Sequence, residues 1–207
     1  MKNKLIIIGA GGHGKVVADI AIKMNAWDNI YFLDDNRSIQ STLGVEIIGE
    51  LAEWKNYYHN HDIFVALGNN FARKTIIERL EKEGASIPVL VHPSAIVNEM
   101  VEIKHGTVVM AGAVINCYTR IGKGCIINTS SSIDHDNYIG NFVHVSPGVN
   151  IAGNVKIGDL SWIGIGSSLV NNIELTKECT VGAGAVVIRS LRTPGTYVGV
   201  PAERIEI

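Results

Sequence analysis

Two hydrophobic patterns divide the chain. From Val91 onward an aliphatic residue recurs at every sixth position without a break: Val91, Val97, Ile103, Val109, Ile115, Ile121, Ile127, Ile133, Ile139, Val145, Ile151, Ile157, Ile163, Leu169, Leu175, Val181 and Val187. A short fixed period means repeats that bury their apolar residue only by stacking on their neighbours. Six is the period of the left-handed parallel β-helix, in which three hexads close a triangular coil of 18 residues and the aliphatic side chain points into the prism. The run makes about five coils. A small residue often follows the aliphatic one, as in Ile121-Gly122, Ile139-Gly140 and Ile157-Gly158, where a corner must be tight. These three pairs are 18 residues apart and are predicted to stack.

Residues 1–85 alternate strand-like and helix-like stretches. The runs 5–8, 30–33 and 63–67 read as strands, and Val16, Val17, Ile20, Ala21 and Met24 form a helical stripe. A second helix is expected over 71–84, with a short strand at 45–48 and a helix near 50–58. Such alternation predicts a small Rossmann-like α/β domain over 1–85, ahead of an all-β left-handed β-helix over 86–190. Pro194-Gly195 and Pro201 predict an extended tail over 191–207 that leaves the prism and folds back or packs on a neighbour.

The net charge of −2 and the lack of a basic stripe argue against nucleic acid as a partner. No stretch reads as a membrane span, and the apolar run after Met1 is too short for a secretory leader and reads as a strand. Three cysteines, Cys117, Cys125 and Cys179, without CxxC spacing suit a reducing compartment and fill wall or core positions. His59 and His61 read as solvated loop residues, and no metal site is expected.

Gly9, Gly11 and Gly14 follow a strand and open a helix in the spacing GxGxxG, with Asp34-Asp35 about twenty residues on. Glycines here let the backbone approach a pyrophosphate at a helix N-terminus. The domain is too short for a full dinucleotide fold and no dehydrogenase substrate domain follows, so a nucleotide sugar is favoured over NAD. Asp34 or Asp35 could accept from a base or ribose, and Gly68-Asn69-Asn70, at the end of a neighbouring strand, should line the same crevice.

His135 lies two residues past a core aliphatic, on the outer surface near a corner, between Asp134 and Asp136. Carboxylates beside an imidazole raise its basicity and fix its tautomer, as a general base for an amine or hydroxyl needs. His144 is half a coil away and could meet His135 only across a subunit boundary. No covalent acyl-enzyme is needed, because no cysteine is expected near this corner.

Taken together, Gly-Gly-His-Gly at 11–14, Leu-Asp-Asp at 33–35, Ala-Leu-Gly-Asn-Asn at 66–70, Asp-His-Asp at 134–136, His-Val-Ser at 144–146 and Gly-Val-Pro-Ala at 199–202 make the chain resemble the bacterial NeuD/PglD-type acetyltransferases over essentially its whole length. The resemblance implies a cytoplasmic homotrimer with acetyl-CoA between adjacent prisms. It implies N-acetylation of the 4-amino group of a UDP- or dTDP-linked deoxy-sugar, or alternatively O-acetylation of sialic acid. It makes His135 the base with Asp136 as its acidic partner, where many relatives carry the longer Glu. Gly11, Gly12, His13, Asp34, Asp35 and Gly68 match the nucleotide-sugar site, and Asn128 faces the sugar. His144 matches a residue near the thioester, while Gly153, Ile165 and Ala183 match backbone contacts to pantetheine. A scaffold that merely trimerises is the remaining reading, against which the Asp-His-Asp corner argues.

Overall fold

In the computed structural model, which describes residues 2–36, 38 and 41–206, the two patterns become two compact units, Met1–Pro93 and Ser94–Ile207. The tail belongs to the second unit.

In the first unit, strand β1 (Lys4–Ile8) has all four of its aliphatic residues buried, as a parallel strand with both faces covered requires. Helix α1 (Gly12–Met24) follows, then β2 (Asn29–Leu33), β3 (Ser41–Thr42), β4 (Val45–Gly49), β5 (Asp62–Val65) and helix α2 (Asn70–Lys82). The sheet order is β3-β4-β2-β1-β5, parallel except for the β3–β4 pair. The β3–β4 hairpin turns at Leu43 and Gly44, with φ of 53° and 74°, the left-handed pair a two-residue hairpin needs. The helix expected near 50–58 is a single 3₁₀ stretch, Leu51–Asn56, in which only Trp54 is buried. One buried residue is too little apolar stripe to hold an α-helix. His61 is buried beside Tyr57 and Tyr31 instead of solvated, and burial lowers its pKa. The Asn69 side chain caps α2 by accepting from the Ala72 N–H at 2.9 Å.

Strand order reverses at β1, with β2 on one side and β5 on the other, so the loops after β1 and β5 flank one crevice at the carboxyl edge of the sheet. Gly9, at φ 101°, passes so close to the second loop that a Cβ there would lie 3.0 Å from the Ala66 carbonyl oxygen.

The second unit is a three-walled parallel β-helix. Its first wall runs from Ile96–Val97 through Ser132–Ile133 to Val186–Val187, its second from Glu102–Ile103 through Tyr138–Ile139 to Glu174–Leu175, and its third from Val108–Val109 through His144–Val145 to Cys179–Val181. Partners are 18 residues apart, as in Ile115↔Ile133, Ile121↔Ile139 and Ile127↔Val145. The six-residue positions from Val109 to Val187 are all buried, while Val97 and Ile103, in the first coil, are half-buried. The tail does not leave the prism. Gly195–Val198 adds to the third wall in parallel with Cys179–Val181, and Glu203–Ile205 folds back antiparallel on it. An open wall edge has unpaired backbone groups, and the tail pairs with them. Among the described residues no helix is long and apolar enough to cross a membrane.

Candidate active site

The turn 134–137 joins the first wall to the second. The Asp134 carbonyl is held twice, by the Asn137 Nδ2–H at 2.7 Å and the Thr119 hydroxyl at 2.7 Å. The Asp134 carboxylate accepts from the His135 N–H at 2.9 Å and from the Asn116 side chain at 3.0 Å. The Asn116 bond, then the His135 N–H, hold Asp134 below the usual carboxylate range. Asp136 is left-handed, with φ 59°, which aims its carboxylate back along the turn. There His135 Nδ1–H donates to Asp136 Oδ2 at 2.8 Å, since a carboxylate only accepts. Nε2 is therefore the nitrogen with a lone pair to offer. The hydrogen bond that Asp136 accepts raises the His135 pKa above its ordinary value, with the charges of Asp134 and Asp136 adding to it.

The neighbouring coils frame this imidazole. Gly153 lies one coil after His135, and the Asn154 N–H donates to the His135 carbonyl at 3.0 Å. Cys117 lies one coil before, its carbonyl accepting from the Asp136 N–H at 3.1 Å. This corrects the expectation that no cysteine is near the corner: 117 and 135 differ by one full coil, so residues distant in sequence stack in space.

A second feature lies at the edge between the third and first walls. A groove of about 440 Å³ is lined by Asn128, His144, Trp162, Ile165, Val181 and Ala183, among others. The Asn128 Nδ2–H donates to His144 Nε2 at 3.3 Å. The Trp162 indole stacks flat on the His144 ring, with centroids 5.2 Å apart and planes 9° from parallel, and its N–H donates to the Ser146 hydroxyl at 2.9 Å. This is an apolar slot with a few fixed polar groups, the usual make-up of a small-molecule site.

In the first unit, Gly11 and Gly12 at the start of α1 are exposed and face open space, whereas a Cβ on Gly14 would overlap the Gly9 carbonyl. His13 is half-buried in the first turn. Asp34 clamps the loop, accepting from the Ala10 N–H at 2.6 Å and the Asn36 N–H at 2.8 Å. Asp35 accepts from the Leu51 N–H at 3.0 Å.

The PglD N-terminal domain family matches residues 4–80. The curated UDP-N-acetylbacillosamine N-acetyltransferase of Bacillus subtilis (strain 168) is 36% identical over 114 residues, covering 54% of this chain and 52% of that protein, so the match spans about half of that relative's length. The acetyltransferase domain of PglB from Neisseria gonorrhoeae FA1090, whose structure is also known in complex with acetyl coenzyme A, superposes with a TM-score of 0.95 at 40% identity over 98% of this chain and 100% of that one. The chain belongs to the NeuD/PglD-type acetyltransferase family. PerB from Caulobacter crescentus, solved with CoA and GDP-perosamine, superposes with a TM-score of 0.91 at 31% identity over 98% of this chain and 97% of that one.

For a member of the NeuD/PglD-type family, the grouping of the expected residues is informative. His135, Asp136 and Gly153 come together at one corner, and Asn128, His144, Ile165 and Ala183 share the groove. Gly11, Asp34 and Gly68 lie on the loops at the carboxyl edge of the first unit's sheet, Gly12 and His13 in the first turn of α1 at the same edge, and Asp35 in the turn after β2. Three further residues emerge only in the structure. Trp162 stacks on His144, a pairing readable from their 18-residue separation. Asn116 fixes Asp134 by the same spacing. Arg73, a buried guanidinium on α2, donates to the carbonyls of Leu67 and Gly68 at 2.8 and 3.1 Å and to Asn70 Oδ1 at 2.8 Å, which sets the loop after β5. Nothing in the local sequence distinguishes it from a solvated helix arginine.

Proposed function

We propose that the protein is an acetyl-CoA-dependent N-acetyltransferase for the 4-amino group of a nucleotide-linked deoxy-sugar. The observation that carries this reading is the His135–Asp136 pair, with its Nδ1–Oδ2 contact of 2.8 Å, on the prism of a chain that matches acetyltransferases over nearly its full length. The glycine loop, with Gly11, Gly12 and His13 at the N-terminus of α1, takes the diphosphate, and the Gly68 loop borders it. UDP is favoured by the Bacillus relative, dTDP is the alternative from sequence, and the Caulobacter relative adds GDP to the nucleotides to be tried.

His135 Nε2 accepts a proton as the amine nitrogen bonds to the thioester carbonyl carbon. The C–S bond then breaks and the proton passes from Nε2 to the departing CoA sulfur, which leaves an amide and the free thiol. Asp136 holds the imidazole and steadies its charge while the proton resides there. The groove holds the pantetheine arm, with His144, Ile165 and Ala183 along it and Asn128 at its edge toward the sugar.

Corner and groove lie on different edges of one prism, so the site closes in a homotrimer in which the corner of one prism meets the groove of the next. With acetyl-CoA and a nucleotide sugar as co-substrates, the reaction belongs in the cytoplasm. The test is release of free thiol from acetyl-CoA against UDP-, dTDP- and GDP-linked 4-amino-sugars, with sialic acid as a parallel acceptor. Turnover with an amino-sugar nucleotide, lost in His135→Ala, is expected. Turnover with sialic acid alone would replace N- by O-acetylation, and an active His135→Ala would remove the base.

A further inference from the structure

Gly153 has no local reason to be glycine. Its backbone is not in the left-handed region, unlike that of its neighbour Asn154 at φ 57°. The stacked positions in the coils on either side carry side chains, Cys117 before His135 and Asn171 after Gly153, so this corner accepts a Cβ elsewhere. What excludes one at residue 153 is the imidazole itself. A Cβ there would lie 2.6 Å from His135 Cε1, 2.7 Å from Nε2 and 3.2 Å from Nδ1, and these are its three nearest heavy atoms. Gly122, by contrast, is excluded by the backbone of the next coil, with the Gly140 carbonyl carbon and oxygen each at 2.6 Å. Structural packing explains that glycine and not Gly153.

We propose that Gly153 is a positioning residue for the reaction: by presenting bare backbone it forms the seat on which the His135 ring lies, and so holds Nδ1 against Asp136 with Nε2 turned toward the acceptor. The proposal rests on the reading of His135 as the base. It is a role of the missing side chain, separate from any contact of the Gly153 backbone with pantetheine. A methyl at 153 would push the ring about its side-chain torsions, and a rotation that carries Nδ1 away from Asp136 lengthens the 2.8 Å contact. The charged groups beside the imidazole are Asp134 and Asp136 in its own turn; the turn before meets this corner through the Cys117 carbonyl, which accepts from the Asp136 N–H, and the turn after offers Gly153 and Asn154, neither titratable.

The test uses the full chain with Gly153→Ala, His135→Ala and the double variant. In the ligand-free protein, nuclear magnetic resonance follows the titration of the His135 ring. In Gly153→Ala this titration is expected to fall back toward that of a free imidazole, the acid limb of the kcat profile to move to lower pH with it, and kcat to drop about a hundredfold, the scale of a misplaced catalytic group. The Tm loss caused by Gly153→Ala should vanish in the His135→Ala background, where the added methyl has room. An unchanged His135 titration, an equal Tm loss in both backgrounds, and a rise in KM for acetyl-CoA as the sole kinetic effect would overturn the proposal and leave Gly153 as a pantetheine contact. If Gly153→Ala alone does not fold, a folded double variant supports the seat and an unfolded one refutes it. Should His135→Ala remain active, the base assignment falls, while the ring titration and the Tm coupling still decide whether Gly153 seats the ring.

Discussion

A carboxylate on Nδ1 of an imidazole settles which nitrogen is the base and how strong it is. In the proposed role of His135 the Asp136 contact does both, and the raised pKa gives the expected pH dependence a definite sign. A histidine base works only when neutral, so under this proposal activity is expected to be lost as pH falls through a value above the ordinary 6.5 of histidine. Asp136→Asn removes the charge that favours the imidazolium, so the acid limb of kcat/KM should move to lower pH and kcat should fall at least about tenfold, because a weaker, looser base transfers the proton less well. An unmoved limb would show that Asp136 does not act on His135. The cysteine one coil before this ring raises a second question. The Cε1–Nε2 edge of His135 lies over Gly153, on the side away from the Cys117 coil, so the imidazole is not set to draw a proton from that thiol. Cys117→Ala is therefore expected to keep near-wild-type kcat, and a collapse of turnover with trapped acetyl-thioester would instead indicate a covalent route. Cys125 and Cys179 are buried, and burial pushes the Cys179 thiol up to about 11, so in the native protein a thiol reagent should modify half-exposed Cys117 first.

The coil is the structural unit at the next scale, and its 18-residue register explains both what the sequence reveals and what it hides. From Val109 onward every coil buries the same positions, so the ruler through Ile121, Ile139 and Ile157 is by itself enough to specify the prism. Truncating a central member, Ile139→Ala, should cost about 2–5 kcal/mol by denaturant unfolding, since both neighbouring coils lose their contact and a stacked wall cannot collapse into the gap. A loss below about 0.5 kcal/mol would mean the wall relaxes freely. The residues of the proposed chemistry also stand out in the sequence, because an Asp-His-Asp turn on the outside of the prism serves no packing purpose. Pairings between coils are less so: Asn116 with Asp134, Cys117 with His135 and His144 with Trp162 each require adding 18 to a position, which inspection of neighbouring residues never does. The Ser41–Thr42 hairpin lacks the usual Asn-Gly turn signal, and the tail abandons the six-residue rule while still pairing through its backbone. Arg73 is hidden for another reason: its role is to satisfy carbonyls, which leave no mark on the sequence. Arg73→Met should free the Leu67 and Gly68 carbonyls, loosen the loop after β5 and raise KM for the nucleotide sugar severalfold with kcat little changed. An unchanged KM would place that loop outside the binding crevice.

At the scale of the whole molecule, one prism holds the His135–Asp136 pair, the proposed base, at the edge between its first and second walls and an apolar groove at the edge between its third and first. A triangular cross-section keeps the two edges apart, and in the proposed trimer a ring of chains, each corner meeting the next groove, would bring them together with one repeated contact. The arrangement makes a quantitative prediction. His135→Ala spoils the corner and leaves the groove intact, whereas Ile165→Arg fills the groove and leaves the corner intact. Each variant alone should be inactive. After subunit exchange at equal concentrations, a site is competent only where a good corner meets a good groove, which random assembly gives to about a quarter of the sites in closed trimers. Recovery near that level, together with a trimer mass by sedimentation, is the expected result. If each chain instead carries a complete site of its own, every mixed assembly still contains only spoiled sites and the mixture stays as inactive as its parents.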